Sequence, residues 1–207
     1  MTFLALATAG LTALTLAPAP PAQFDFSDCP SLPAAADPAE WRCEVLVSQA
    51  KISFGRIGDL DLGTMRLTFA EGTLDGEYAQ AFGALRDEPT RLPGLPGTSV
   101  RLRYAGYSDF QSSDQRKGAI DLTAAIEGPL LHPGCASTPI HSVLQADGPT
   151  EVISTGPLTL KFSTTDNQLT FPATTGCGPL GPLLDHRLGL PSAASYEQTS
   201  YVRLRSY

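Results

Sequence analysis

The chain has 207 residues, with 14 Lys and Arg against 21 Asp and Glu, which gives a formal net charge of −7. This acidic balance excludes nucleic acid as a default partner, because binding to phosphates needs several cations clustered on one face. The 19 Gly and 18 Pro residues are interspersed with apolar residues, so the chain is neither a collagen repeat nor a disordered tail. A folded chain rich in turns is the class that remains.

The N-terminal segment has the pattern of an export signal. Residues 1–16 are uncharged and largely apolar, and a run of Ala and Pro follows as far as Ala22. Such a stretch is typical of a secretory signal peptide and falls short of the ~20 apolar residues that a spanning helix needs. We therefore predict a signal peptide at 1–22, an extended Pro- and Ala-rich lead-in at 23–40 and a single β domain at 41–207. The expected localisation is secreted, with no transmembrane anchor.

All four cysteines, Cys29, Cys43, Cys135 and Cys177, follow the predicted signal peptide. An even number of cysteines in an exported chain predicts two disulfide bonds. Three pairings are open, and we favour Cys29 with Cys43 and Cys135 with Cys177 because each bond then closes a loop within one half of the chain. The spacings match no zinc motif, so we predict no metal site and no cofactor.

Alternation of apolar and polar residues predicts a series of short strands. In chain order they span 43–54, 65–69, 100–104, 120–126, 151–154, 158–162, 168–171 and 196–207. The segments 158–162 and 168–171 are predicted to form a hairpin across Asp166 and Asn167. Short strands separated by turn residues indicate a mainly β fold, either an antiparallel sandwich or a barrel.

Two segments have helical spacing. Apolar residues between Leu74 and Leu85 recur at spacings of four, four and three, which predicts a short helix. A second apolar stripe spans 179–188, and Gly189 follows it in the position of a left-handed cap. This short C-terminal helix is expected to cover one end of the sheet.

The sequence contains no recognisable catalytic motif. A Gly-x-Ser-x-Gly elbow does not occur in it, and we interpret His132, His141 and His186 as structural or solvated. Asp59 and Asp61 alternate in a polar segment that would hold calcium if further oxygens joined them, but the simpler interpretation is a polar hairpin turn. We predict no catalytic residue.

One stretch has the composition of an interaction surface. It contains Arg101, Arg103, Tyr104, Tyr107 and Phe110. Exposed aromatic residues beside Arg are typical of protein interfaces. The alternative is that the two arginines solvate one face of a strand while Tyr104 and Phe110 pack in the core.

Several short motifs point to a group of bacterial proteins. They are CP at 29–30, WRCE at 41–44, MRLTFAEG at 65–72, GCGPL at 176–180 and LGLPS at 188–192. With these motifs the chain resembles small secreted proteins of unknown function from actinobacteria, the high-GC Gram-positive bacteria. The resemblance implies export and the fold class, and it implies no activity.

Two hypotheses for function follow. The first is a secreted, non-enzymatic β protein that binds a cell-envelope component or another protein. The alternative is a small extracellular hydrolase that acts on envelope glycan or lipid. A cleft that contains a strongly perturbed carboxylate or histidine would favour the hydrolase.

Overall fold

The computed structural model describes residues 24–207, and the predicted signal peptide lies outside this range. The strands are β1 (Arg42–Phe54), β2 (Gly58–Asp61), β3 (Met65–Leu74), β4 (Glu77–Asp87), β5 (Thr90–Arg91), β6 (Ser99–Asp109), β7 (Arg116–Glu127), β8 (Ala136–Ser137), β9 (Ile140–Ala146), β10 (Glu151–Thr155), β11 (Leu158–Phe171), β12 (Thr174–Thr175) and β13 (Ser192–Ser206). One α-helix, α1 (Gly181–Leu188), follows a turn of 3-10 helix at Gly178–Leu180, and a similar turn, Pro38–Glu40, precedes β1. Within residues 24–207 no helix has the length and apolar character needed to cross a membrane.

The strands form one antiparallel sheet that curls into a half-barrel. Its main path runs β12-β8-β7-β9-β11-β13-β1-β3-β4, while β6 pairs with β7, β10 with β11 and β2 with β1. Twist accumulates along such a long sheet and bends it around its own apolar face. The prediction of a mainly antiparallel β fold with one short helix and two disulfides is confirmed.

Curling brings β4 opposite β6 along a line that we call the seam. Among the described strands these two have no backbone ladder between them, and side chains join them instead. The main-chain N–H of Leu102 donates to Asp87 Oδ2 over 2.6 Å, and the N–H of Phe110 donates to Gln80 Oε1 over 2.9 Å. The interior of the sheet is therefore covered on the side where backbone pairing stops.

The inner face of the sheet carries two apolar clusters. The closed-end cluster is built around Ile52, Phe54, Ile126, Phe171, Leu184 and Leu188. The open-end cluster contains Leu46, Leu67, Phe69, Phe110, Ile120 and Val202. Helix α1 contributes Leu184 and Leu188 to the closed end, and the bond between Cys135 and Cys177 lies in the same cluster. This end of the half-barrel is therefore tightly packed.

Residues 24–40 lie against the outer face of β3 and β4. Cys29 is bonded to Cys43, and together with the bond between Cys135 and Cys177 this is the pairing that we favoured from the sequence. The carboxylate of Asp28 accepts hydrogen bonds from Arg66 and Arg86. The lead-in is therefore attached to the sheet by one covalent bond and by a pair of ionic contacts.

The helix predicted between Leu74 and Leu85 is wrong, because this segment forms the β3–β4 hairpin. Asp75 and Gly76 have positive φ angles of 53° and 82° and make its two-residue turn. Further along β4, the register shifts so that Gly83 has no partner on β3, and Phe82 and Leu85 consequently both reach the inner side. This bulge produces the spacing of three that imitated a helix.

The hairpin predicted across Asp166 and Asn167 is also wrong, because β11 runs through both residues with a bulge. Asp166 lies opposite Tyr196 on β13, and the regular register resumes only at Leu169. The buried Asp166 side chain accepts hydrogen bonds from Ser142 Oγ and from the N–H of Val143 on β9. These bonds hold the polar residue inside the sheet, whereas its sequence position suggested a solvated turn.

The remaining predicted elements are confirmed. Strands are present at 43–54, 65–69, 100–104, 120–126 and 151–154, and the predicted strand 196–207 is present as far as Ser206, although several are longer than the alternation indicated. The C-terminal helix ends at Leu188, and Gly189 has a φ of 75° and donates its N–H to the carbonyl of Asp185. This is the left-handed cap that the sequence predicted.

Candidate functional site

A cavity of about 270 Å³ lies inside the half-barrel, between β1, β3 and β13 on one side and β7, β9 and β11 on the other. Most of its wall is aliphatic or aromatic and includes Leu46, Leu67, Leu122, Leu160 and Phe162. An apolar cavity of about 150 Å³ is large enough to bind benzene. The cavity in this chain therefore has room for a larger apolar molecule.

One end of the cavity opens to solvent. Its lining there includes Arg42, Ser112, Thr150 and Leu158, which are all exposed residues. The opposite end abuts the closed-end cluster, where α1 packs across the sheet. A ligand would accordingly enter from the end where β1 begins and β13 finishes.

Four side chains form a charged rim at the open end: Arg42, Glu44, Glu71 and Tyr78. Arg42 lies opposite Glu71 in the β1–β3 register, and its guanidinium donates to Glu71 Oε1 and, over 3.1 Å, to Glu44 Oε1. The hydroxyl of Tyr78 donates to Glu71 Oε2 over 2.7 Å. Both carboxyl side chains are only 12% exposed, so the rim holds two acids that are largely removed from water.

The two acids of the rim titrate as a pair. Burial and the neighbouring charge of Glu71 raise the pKa of Glu44 to about 8. Burial acts on Glu71 as well, but hydrogen bonds from Tyr78, Glu44 and Arg42 outweigh it and hold the pKa of Glu71 below its usual value. At neutral pH Glu44 therefore keeps its proton and donates it to Glu71, and Arg42 balances the single negative charge.

A second polar group lies at the inner end of the cavity, and we call it the polar belt. It consists of Ser48, Tyr196, Gln198 and Ser200, of which the first three line the cavity. Gln198 Nε2 donates to Ser48 Oγ over 3.0 Å and also to Ser200 Oγ, and the two serine oxygens are 2.9 Å apart. The hydroxyl of Tyr196 donates to Gln198 Oε1. The cavity thus has apolar walls between two polar ends.

The predicted interaction surface does not form a single patch. Its members are Arg101, Arg103, Tyr104, Tyr107 and Phe110. The two arginines lie beside Glu127 on the outer face, whereas Tyr104 and Phe110 pack in or against the open-end cluster. Tyr107 is 45% exposed and its ring lies 5.6 Å from that of His141. Tyr104 and Phe110 therefore pack inward, while the two arginines and Tyr107 remain at the surface.

One histidine has an acidic partner that sequence order did not reveal. His141 Nδ1 lies 2.7 Å from Asp121 Oδ1, across the register between β9 and β7. The pair is on the outer face, because the adjacent Ser142 points to the cavity. Among residues 24–207 no cluster of three or more His, Cys, Asp or Glu residues is arranged to hold a metal ion.

Glu44 and Glu71 were not identified from the sequence, although a signal for them exists. In β1 and β3 every second residue points into the sheet, and this alternation continues to an acidic residue at the open end. Glu44 lies two residues from the inward-facing Leu46, and Glu71 lies two residues from the inward-facing Phe69.

Comparison with protein-family models, with curated proteins and with solved structures finds no match to this chain. The cavity and its two polar ends are therefore the features that bear on function.

Proposed function

We propose that this protein is a non-enzymatic binding protein that holds a small, mainly apolar molecule inside its curled sheet. The apolar cavity with an open end is the observation that carries this proposal. Transfer of an apolar molecule from water into such a space is favourable by about 25 cal/mol for each Å² of apolar surface removed from water. Ligand sites in proteins are typically apolar cavities with a few fixed polar groups, and this cavity has that composition.

We further infer that the chain is exported and that its ligand is a component of the cell envelope. The two disulfides support export, because such bonds persist in oxidising compartments, and an origin in an actinobacterium is consistent with the motifs noted above. Lipids of the envelope are a natural source of molecules with large apolar surfaces.

The sequence left two folds open, a sandwich and a barrel. The approach of β4 to β6 across the seam supports the barrel.

A fluorescent apolar probe tests the proposal. We expect N-phenyl-1-naphthylamine to bind the purified, oxidised protein with an increase in fluorescence. Leu160→Trp places a large ring in the cavity wall and should weaken this binding at least tenfold. Leu183→Trp makes the same change at a residue of α1 that is 54% exposed and outside the cavity, so it should bind the probe like the parent protein.

Two results would contradict the binding proposal. One is a parent protein that leaves the fluorescence of the probe unchanged. The other is an equal effect of the two tryptophan variants, since probe binding would then occur on the surface. Circular dichroism of each variant shows whether the sheet is intact.

A hydrolase is the second candidate, and the observation that favours it is the pair Glu44 and Glu71, whose pKa values are displaced in opposite directions. In glycosidases the two carboxyl groups stand at least ~5 Å apart because the scissile bond lies between them. Here Arg42 Nε donates to Oε1 of both Glu44 and Glu71, over 3.1 and 2.8 Å, so the Arg42 side chain occupies the space between the two carboxyl groups where a glycosidic bond would have to lie. Binding is therefore the better-supported function.

Chromogenic substrates distinguish the two candidates. We expect no turnover of nitrophenyl glycosides or nitrophenyl acyl esters by the parent protein. Turnover that disappears in Glu44→Gln would instead establish the hydrolase and overturn the non-enzymatic proposal.

A further inference from the structure

We propose that the polar belt binds an uncharged oxygen atom of the ligand, in a hydroxyl, ether or carbonyl group, and that Ser48 donates a hydrogen bond to it. This inference rests on the proposed function, because it specifies which class of molecule the cavity holds. It assigns the ligand an orientation, with its polar end at the inner end of the cavity and its apolar part toward the opening.

The donors and acceptors of the belt do not balance. Gln198 uses both hydrogens of its amide on Ser48 and Ser200, and its oxygen accepts from Tyr196. Each serine then has one hydroxyl hydrogen, and a single bond links Ser48 to Ser200. That bond consumes one hydrogen, so one serine donor is left over. When Ser200 donates to Ser48, the remaining hydrogen is that of Ser48, which lines the cavity.

Burial makes the surplus donor costly. Ser48 is 3% exposed and Ser200 is 0% exposed, so very little of either side chain is open to water. A buried hydroxyl without a partner loses its hydration and gains nothing in return. An acceptor oxygen supplied by a ligand would remove this penalty, and the surrounding apolar wall would strengthen the bond by excluding water.

A second buried hydroxyl lies at the same level of the sheet. Thr164 is opposite Gln198 in the β11–β13 register and is 1% exposed. Its Oγ1 has no hydrogen-bond partner among the described residues. Thr164 does not line the cavity itself, so the proposed contact with the ligand stays with Ser48.

The charges around the cavity favour an uncharged polar group at this end. The belt contains no ionised side chain, and the ionisable groups that line the cavity belong to its other parts: Arg42, Glu44, Glu71 and Lys117. Asp166 lies behind Ser142, and both of its carboxylate oxygens already accept hydrogen bonds from the protein. An ammonium group would have no free counter-ion at the belt, and it has no lone pair to accept from Ser48.

Displacement of N-phenyl-1-naphthylamine by three ligands of equal chain length tests the inference at pH 7. Decan-1-ol and decyl methyl ether offer an acceptor oxygen, whereas decylammonium does not. We expect the alcohol and the ether to displace the probe at concentrations at least tenfold lower than decylammonium. Equal potency of the three would overturn the inference, because the polar end would then lie at the rim or in solvent.

A matched pair of variants locates the bond. Ser48→Ala should weaken the alcohol and the ether about fivefold relative to both the probe and decylammonium, which corresponds to the loss of one neutral hydrogen bond. Ser53→Ala makes the same change on the outer face of β1 and should alter neither. An equal loss for decylammonium, or no loss for the alcohol, would overturn the role of Ser48. A parent protein that fails to bind the probe at all would contradict the proposed function rather than this assignment.

Discussion

At the scale of single residues, Glu44 departs furthest from ordinary behaviour. Its position on β1 follows the same alternation that places Leu46 and Ser48 inside the sheet, so backbone geometry directs a carboxyl group into a poorly solvated space. The group stays uncharged at neutral pH because burial destabilises its ionised form more than the charge of Arg42 stabilises that form. With Arg42 and Glu71 as its ionised groups, the rim is neutral as a whole, and the proposed apolar ligand would meet no unbalanced charge there.

The raised pKa of Glu44 predicts how stability depends on pH. The pKa is about 8 in the folded chain and returns to 4.5 on unfolding. Between these values the folded state binds the extra proton, so the free energy of unfolding falls as the pH rises from about 5 to 8. We expect a decline of the order of 2 kcal/mol over this interval, given about 1.4 kcal/mol for each pKa unit and the sharing of the proton with Glu71.

Urea unfolding at several pH values between 5 and 8 measures this decline. Glu44→Gln can still donate a hydrogen bond to Glu71 but does not titrate, so its stability should vary less with pH than that of the parent protein. Glu71 has a lowered pKa and loses its contribution only below its ordinary value of 4.5, outside the interval. Identical pH dependence in the two proteins would show that Glu44 ionises normally.

At the scale of elements, the seam is where the sheet depends on side chains. Backbone pairing ends at β4 on one edge and, apart from the short β5, at β6 on the other, and exposed strand edges of this kind are usually covered or interrupted. Asp87 and Gln80 on β4 accept hydrogen bonds from the main-chain N–H groups of Leu102 on β6 and of Phe110 directly after β6, in place of a neighbouring strand. The stacked rings of Phe82 and Tyr104, 3.6 Å apart between centroids, cover the same line on the inner side.

Removal of one seam contact should destabilise the fold measurably. Asp87→Ala leaves the N–H of Leu102 without its acceptor in a partly buried position, and we expect a loss of about 1 to 3 kcal/mol in the free energy of unfolding. Amide hydrogen exchange at Leu102 should accelerate in the same variant. Asp61→Ala, an exposed position on β2, serves as the control and should change stability by less than about 0.5 kcal/mol. Equal stability of the two variants would show that the seam does not depend on this bond.

At the scale of the whole molecule, two disulfides act on different parts of the sheet. The bond between Cys29 and Cys43 attaches the lead-in to the outer face beside β1, whereas the bond between Cys135 and Cys177 connects the start of β8 to the turn before α1. The second bond lies within the closed-end cluster and joins segments 42 residues apart. It therefore holds α1 against the end of the half-barrel.

Loss of the second disulfide should cost more than loss of the first. Chain entropy assigns about 4 kcal/mol to the loop between Cys135 and Cys177 and about 3 kcal/mol to the loop between Cys29 and Cys43. The double variant Cys135→Ser/Cys177→Ser should accordingly unfold at lower urea concentration than Cys29→Ser/Cys43→Ser. It should also bind the apolar probe more weakly, because α1 then covers the closed end less firmly. A reversed order of stability would contradict this assignment.

The sequence by itself determined the class of the fold, the favoured cysteine pairing and the capped C-terminal helix, because these follow from local periodicity, from the number and spacing of cysteines and from the residue after the helix. Local patterns led to wrong predictions at two places where the tertiary structure overrode them. The bulge at Gly83 produces a helix-like spacing of apolar residues within a strand, and the buried hydrogen bonds of Asp166 allow β11 to continue through an apparent turn. The rim and the polar belt were beyond sequence reasoning. Glu44 meets Glu71, and Ser48 meets Gln198, only after the register of three strands is set and the sheet has curled. Only the tertiary structure decided that these side chains share one cavity, since the distance between residues on different strands depends on long-range packing that no local pattern encodes.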